Sequence, residues 1–248
     1  MKRILFALVL VAFAGAATAA IPALTRITGA VAEANAGSGR VRPLLIDVTL
    51  RVAGGGAEAD GVLATHPTGL ARLELKTGMG FVERHLLQGD EYAASRDGEL
   101  IDRPHPFLPP VFLLQSNSGA SLTAALSSYG VAPDTVALGH LGAHDCYVLG
   151  GRRLGDLQPP PSLWVDIVTY EPVRIVRADG TEYRLGPSKV FDGGIQLPTW
   201  IEIRAPNSPR ARLEVKGASK ADAPAAAFQK SWLESRPAAP EDETLPPQ

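Results

Sequence analysis

Two short segments, ARLELK at Ala71–Lys76 and ARLEVK at Ala211–Lys216, set Ala, Leu and Leu or Val in strict alternation with Arg, Glu and Lys. A period of two sends successive side chains to opposite faces of a strand, so each segment has one apolar face and one charged face. That is the signature of an antiparallel sheet with one side buried and one side wet; strands of a parallel sheet are apolar on both sides. The segment LIDVTLRV repeats the pattern, with Ile46, Val48, Leu50 and Val52 alternating with Asp47, Thr49 and Arg51.

The same reading predicts two strands in GFVERHLLQGDEYAASRDGEL, broken at Gly89-Asp90 and followed by an Asp97-Gly98 turn, a strong hairpin signal. Further strands are predicted at 135–138, 145–149, 163–168, 173–177, 181–185 and 200–204. About ten strands exceed what a flat open sheet usually carries without curling. Helical signals are few. PALTRITGAVAEANAG places Leu24, Ile27, Val31 and Ala34 on one face, and SGASLTAALSSYG does so with Leu122, Ala125, Leu126 and Tyr129, between a serine cap and Gly130. FLPPVFLLQ predicts a short helix entered through Pro109 and Pro110. DAPAAAFQKSWL predicts a terminal helix capped by Asp222, with Phe228 and Trp232 four apart. The fold class expected is α+β: a strongly curved antiparallel sheet, a half-barrel, with a few helices covering its concave side.

The first residues, MKRILFALVLVAFAGAATAA, combine Lys2 and Arg3, an apolar run and an Ala17-Thr18-Ala19 site, the three parts of a secretory signal. The expected division is a signal at 1–19, one domain at 20–233, and an acidic Pro-rich tail at 234–248 with little to bury. Removing Lys2 and Arg3 takes the net charge from -2 to -4, which speaks against a nucleic-acid partner, since that calls for a basic face. Cys146 is the sole cysteine, so an intrachain disulfide is excluded. In DCYVLGG it reads as a small buried hydrophobe.

Chemistry-bearing motifs are sparse. His140 and His144 stand four apart beside Asp145 and Cys146, but LGHLGAHDC has two glycines and precedes a strand, so surface histidines are expected and no metal is assigned. There is no G-x-S-x-G, and the glycines of VAGGGAEADG lack the lysine of a phosphate loop; no catalytic residue or cofactor is assigned. The polar residues of LWVDIVTYEPVRIVRADGTEYRL fit a three-strand meander. In it Leu163, Val165 and Ile167 share one face and Trp164, Asp166 and Val168 the other, with Asp166 and Arg174 placed for a cross-strand charge pair.

That meander, with Trp164, Asp166, Thr169, Pro172 and Arg174, and the following LPTWI strand, with Leu197, Pro198, Trp200 and Ile201, resembles the outer-membrane lipoprotein-sorting proteins of the LolA-like superfamily, most clearly from about Thr135 to Val215. The resemblance implies a half-barrel over helices, enclosing an apolar cavity for a lipid or a lipoprotein acyl chain. It also implies a periplasmic monomer, not an enzyme, that touches membranes transiently. The same architecture serves sensors that bind envelope proteins instead. Family carriers use an arginine of an early strand to contact the helical lid; Arg51 is the nearest such residue here, without a motif match. The apolar groups expected to line the cavity are Ile46, Val48, Leu50, Leu73, Leu75, Val165, Ile201 and Leu213 on the sheet, with Phe112, Leu122 and Leu126 covering them. Helices that fill the space completely are the alternative.

Overall fold

The computed structural model describes residues 21–54, 58–89, 91–132, 134–151 and 160–235, with the side chain of Phe112 outside the description. The expected signal and all but the first two residues of the expected tail lie outside these residues. The described residues form fifteen strands: β1 (Leu44–Val52), β2 (Glu58–His66), β3 (Leu70–Thr77), β4 (Val82–Gln88), β5 (Glu91–Arg96), β6 (Glu99–Leu100), β7 (Val136–Leu141), β8 (His144–Leu149), β9 (Ser162–Asp166), β10 (Pro172–Val176), β11 (Glu182–Leu185), β12 (Ser188–Phe191), β13 (Ile195–Pro198), β14 (Trp200–Arg204) and β15 (Ala211–Lys220). Thirteen of them make one sheet in the order β6-β5-β4-β3-β2-β1-β15-β14-β11-β10-β9-β8-β7, and β12 and β13 form a separate hairpin. The count exceeds the ten expected. β2 was hidden by Gly61, whose added Cβ would lie 2.2 Å from the Glu74 carbonyl oxygen, and the β12–β13 hairpin by its short strands.

Every pairing in the large sheet is antiparallel. The Asp97-Gly98 turn has both residues at positive φ, 52° and 89°, as a tight two-residue hairpin requires. The sheet is open but wraps strongly. Flat, β5 and β11 would stand roughly 34 Å apart at about 4.8 Å per strand. Yet Tyr92 of β5 and Tyr183 of β11 donate hydrogen bonds to the carbonyls of successive residues, His105 and Pro106.

The concave face carries the main core. Ile46, Val48 and Leu50 of β1, Leu73 and Leu75 of β3, Val165 of β9, Ile201 of β14 and Leu213 of β15 are all at most 4% exposed. Over them lie helix α1 (Leu24–Gly37), a 3-10 turn at Val111–Gln115 and helix α2 (Gly119–Ser128). α1 buries Ile27 and Val31 as its periodicity predicts. α2 begins at a reciprocal cap in which Ser118 and Ser121 each accept from the other's backbone N–H, and it stops at Gly130, φ 75°.

The convex face is covered in two places. Around Trp164, the residues Cys146 and Val148 form a small apolar cluster, and the Arg174 guanidinium stacks 4.9 Å from the indole. A Cβ on Gly139 would meet this ring at 2.6 Å and Val148 Cγ2 at 2.8 Å. Gly139→Ala is therefore expected to destabilise the fold by about 1–3 kcal/mol through overpacking, read as a lower urea midpoint at unchanged slope. On the other wing, residues 221–235 cross β2–β5 as a strap. Here the expected terminal helix gives way to a 3-10 turn at Ala225–Ala227 and the four-residue helix α3 (Ser231–Glu234). The strap's carbonyls are taken by side chains of the sheet instead of by helical N–H groups: Ala227 by Arg72, Phe228 by Gln88, Trp232 by Arg84 and Leu233 by Ser95.

Candidate functional site

The concave interior is the candidate site, and the segment from Pro109 to Gln115 sits in it as a plug. Two prolines cannot continue a strand ladder, and Val111, Leu113 and Leu114 drive the turn inward, each at most 3% exposed. Two small clefts flank it, both with wholly apolar linings. One lies among Ile46, Val48, Leu63, Val111, Leu114, Leu197, Pro198, Ile201, Leu213 and Val215. The other lies among Pro109, Pro110, Val111, Leu114, Ile175, Tyr183, Leu185 and Ile201. Each holds a cavity of about 10 Å³, room for about one water molecule. Of the residues expected to line a cavity, Ile46, Val48, Ile201 and Leu213 border the first cleft. Leu50, Leu73, Leu75, Leu122, Leu126 and Val165 are packed into solid core, and the Phe112 side chain lies outside the description.

The plug's backbone is held by a buried polar cluster at its C-terminal end. Arg40, 1% exposed, donates from Nε to the Leu114 carbonyl at 2.9 Å, from Nη2 to Asn35 Oδ1 at 2.9 Å and from Nη1 to the Gln196 carbonyl of β13 at 3.2 Å. Asn35 Nδ2 donates to the carbonyls of Leu113 and Ser116, and Gln115 Nε2 donates to those of Arg40 and Arg42. Burial pulls the Arg40 guanidinium down to about 10, against the raising influence of the Glu171 carboxylate at 3.9 Å. Glu171 in turn accepts from Ser188 Oγ of β12 and Gln196 Nε2 of β13, so the hairpin, the β9–β10 turn, α1 and the plug meet at one cation. Arg51, the arginine singled out from sequence, is half exposed and pairs outside with Glu214 and Glu58. Arg40 escaped notice because GSGRVRP has no periodic pattern and its partners lie far along the chain.

At its other end the plug is reached through residues 101–108. Phe107 packs edge-on against His85 of β4, 5.6 Å between centroids, and His85 Nδ1 lies 2.7 Å from the Tyr92 hydroxyl. His85 is fully buried, with Nε2 2.9 Å from Glu83 Oε1. Burial works against a charged Glu83, but His85 and Arg96 outweigh it and hold the carboxyl at about 2.

The outer face carries a cavity of about 370 Å³ bordered by Asp47, Thr49, Asp60, Glu74, Lys76 and Lys216; His140, His144 and Cys146 lie elsewhere. His140 pairs with Asp145 and His144 with Asp166, and as neighbours to successive cross-strand pairs they face opposite sides of the hairpin. Among the described residues no group of three His, Cys, Asp or Glu is placed to hold a metal. Cys146 is fully buried, and desolvation, with Asp166 and Asp145 adding to it, pushes its thiol up to about 11, far from a reactive thiolate. The expected Asp166–Arg174 pair does not form. Asp166 instead accepts from the amides of Val168 and Thr169 and from His144, which overcome its desolvation and hold the carboxyl below its usual range; Arg174 turns to Glu182 and Trp164. Among the described residues no helix is long and apolar enough to cross a membrane.

No protein-family model matches the sequence, and no curated protein sequence does. Solved structures do. A LolA superfamily protein from Nitrosomonas europaea superposes with a TM-score of 0.55 at 13% identity, covering 86% of this chain and 100% of its own. A domain from Vibrio parahaemolyticus assigned to outer membrane lipoprotein sorting matches at TM-score 0.49 and 9% identity over 86% of this chain and 98% of its own. A DUF1329 family protein from Desulfovibrio piger matches at 0.45 and 12% over 82% and 98%. An open antiparallel sheet wrapped over helices is thus a LolA-like fold, as the Trp164 and Leu197 motifs led us to expect. At these identities the likeness is one of fold.

Proposed function

We propose that the chain is an exported, periplasmic binding protein that holds a lipid or lipoprotein acyl chain on the concave sheet face, in the position the plug now fills. The observation that carries the reading is the pair of apolar clefts on either side of the plug, which share Val111, Leu114 and Ile201. Withdrawal of one short turn would merge them into a single apolar slot. A chain of about twelve methylenes returns about 10 kcal/mol on burial, enough to replace the plug's own apolar contacts. The filled interior favours a second reading: an interaction or envelope-stress sensing module whose partner, an apolar peptide segment, enters by the same route.

Native mass spectrometry of the mature protein, prepared from an exported source without detergent, tests the first reading. A retained mass that dissociates as a phospholipid or acyl species is expected, and the double variant Val111→Ala/Leu114→Ala, with a smaller plug, is expected to retain several-fold more. A bare protein mass, unchanged by added lipid in both forms, overturns the acyl reading. A stable protein partner captured by crosslinking in that case establishes the second.

A further inference from the structure

We propose that His85 and Tyr92 form a proton-dependent latch on the segment that feeds the plug, and that the closed interior is the form in which His85 carries both ring protons. The inference deepens the acyl reading, because the latched segment is the one an acyl chain must displace.

Proton bookkeeping carries it. The Tyr92 hydroxyl lies 2.6 Å from the His105 carbonyl, which can only accept, so the phenol's one proton is used there. His85 Nδ1, 2.7 Å from the same phenol oxygen, must then be the donor. The other ring nitrogen, Nε2, stands 2.9 Å from a Glu83 oxygen. An unprotonated Nε2 would set a lone pair against a carboxylate in a site that water does not reach. Among the described residues Nε2 has no hydrogen-bond partner of good geometry, so the contact is one of charge: an imidazolium is attracted to the carboxylate while Nδ1 donates to Tyr92, and a neutral ring is not. Desolvation raises the Tyr92 phenol well above its ordinary value, so it keeps the proton that holds His105.

The neighbourhood leaves few other titrating groups to do this. From β4 itself comes Glu83, and from β5 come Tyr92 and Arg96, the latter pairing with the second Glu83 oxygen at 3.0 Å. The flanking strands set Leu73 and Ala94 opposite His85. The covering segment contributes the Phe107 ring and the His105 backbone; the His105 imidazole is exposed and stacks on Phe107 at 5.2 Å. Tyr183 touches the segment one residue further on, through the Pro106 carbonyl. Loss of the Nε2 proton as pH rises leaves His85 against Glu83 with no proton between them, and the ring must move. Movement breaks the Nδ1–Tyr92 contact and frees residues 105–108, the lead-in to the plug.

Hydrogen exchange of the full mature chain, without lipid and normalised for intrinsic amide rates, tests this. Amides between Phe107 and Gln115 are expected to lose about tenfold in protection as pH rises from about 5 to 8, while amides of β1 stay constant. His85→Gln is expected to flatten that profile, and Tyr92→Phe, which cannot hold His105, to speed exchange at the plug about tenfold at the low-pH end. A flat wild-type profile, a His85→Gln slope equal to wild type, or unchanged exchange in Tyr92→Phe overturns the latch. Uptake of a long-chain fatty acid is measured separately at both pH limits. Opening without uptake at either limit leaves the latch standing and removes the acyl reading; uptake with pH-independent protection does the reverse.

Discussion

Arg40→Met is expected to lower the unfolding free energy by about 3 kcal/mol. The substitution keeps an unbranched apolar stem but removes all the guanidinium donors from a fully buried cluster. Three acceptors lose their partner: the carbonyls of Leu114 and Gln196 and the Asn35 side-chain oxygen. An acceptor stranded in the interior costs about 1–3 kcal/mol. Against that total stands the cost of desolvating the guanidinium, visible in its lowered pKa, which the variant no longer bears. Glu171 is not stranded, since Ser188 and Gln196 still donate to it. Urea unfolding followed by circular dichroism gives the number, and a loss below about 1 kcal/mol would mean that solvent or a rearranged Asn35 replaces the guanidinium. Arg40→Lys should recover little, because one ammonium cannot address three acceptors in the directions a fork reaches.

The second large effect belongs to the opposite face. Phe228→Ala is expected to cost about 3–5 kcal/mol, the range for emptying a buried aromatic site. Phe228 is 1% exposed, lies over Ala64 and Leu86, and has the Arg72 guanidinium 5.7 Å from its ring centre. Its loss would also loosen the carbonyl contacts that Gln88 and Arg72 make to the strap, so strap amides should exchange first, before those of β1 or β15. Exchange that stays uniform across the molecule would show that the strap unfolds only with the whole sheet.

How far this was readable from sequence depends on whether a residue's partner is local. β1, β3, β14 and β15 stand out because alternation is a property of the strand itself, and α2 because its cap, Ser118, and the cap's partner, Ser121, are only three residues apart. β4 is legible as a strand, but its burial is not: all of Val82–Leu87 is buried, polar residues included, since Arg84 meets the strap and Glu74 while His85 meets Tyr92 and the plug's lead-in. A sequence pattern cannot distinguish such a strand from a solvated one without knowing what lies over each face. The strap fails for the converse reason. Phe228 and Trp232 sit at helical spacing, but side chains of the sheet outbid the helix for the strap's carbonyls. The concave site was legible as an apolar face; that the chain fills it with its own residues 109–115, and clasps them with Arg40, was not.

The position of β15 bears on how such a chain comes into being. β1 to β6 form one meander, β7 to β11 and β14 another, and among the described residues no strand pairing joins them except through β15, which lies between β1 and β14. Of the described strands, the last in chain order is the one that unites the wings. Until it emerges during synthesis, β1 and β14 both present raw edges in the middle of what will be the sheet, an invitation to wrong pairing between nascent chains. Closure must then bring together segments from opposite ends of the chain, which sets a slow, late step. A chain stopped short of Ala211 would be two separate half-sheets, each without its seam.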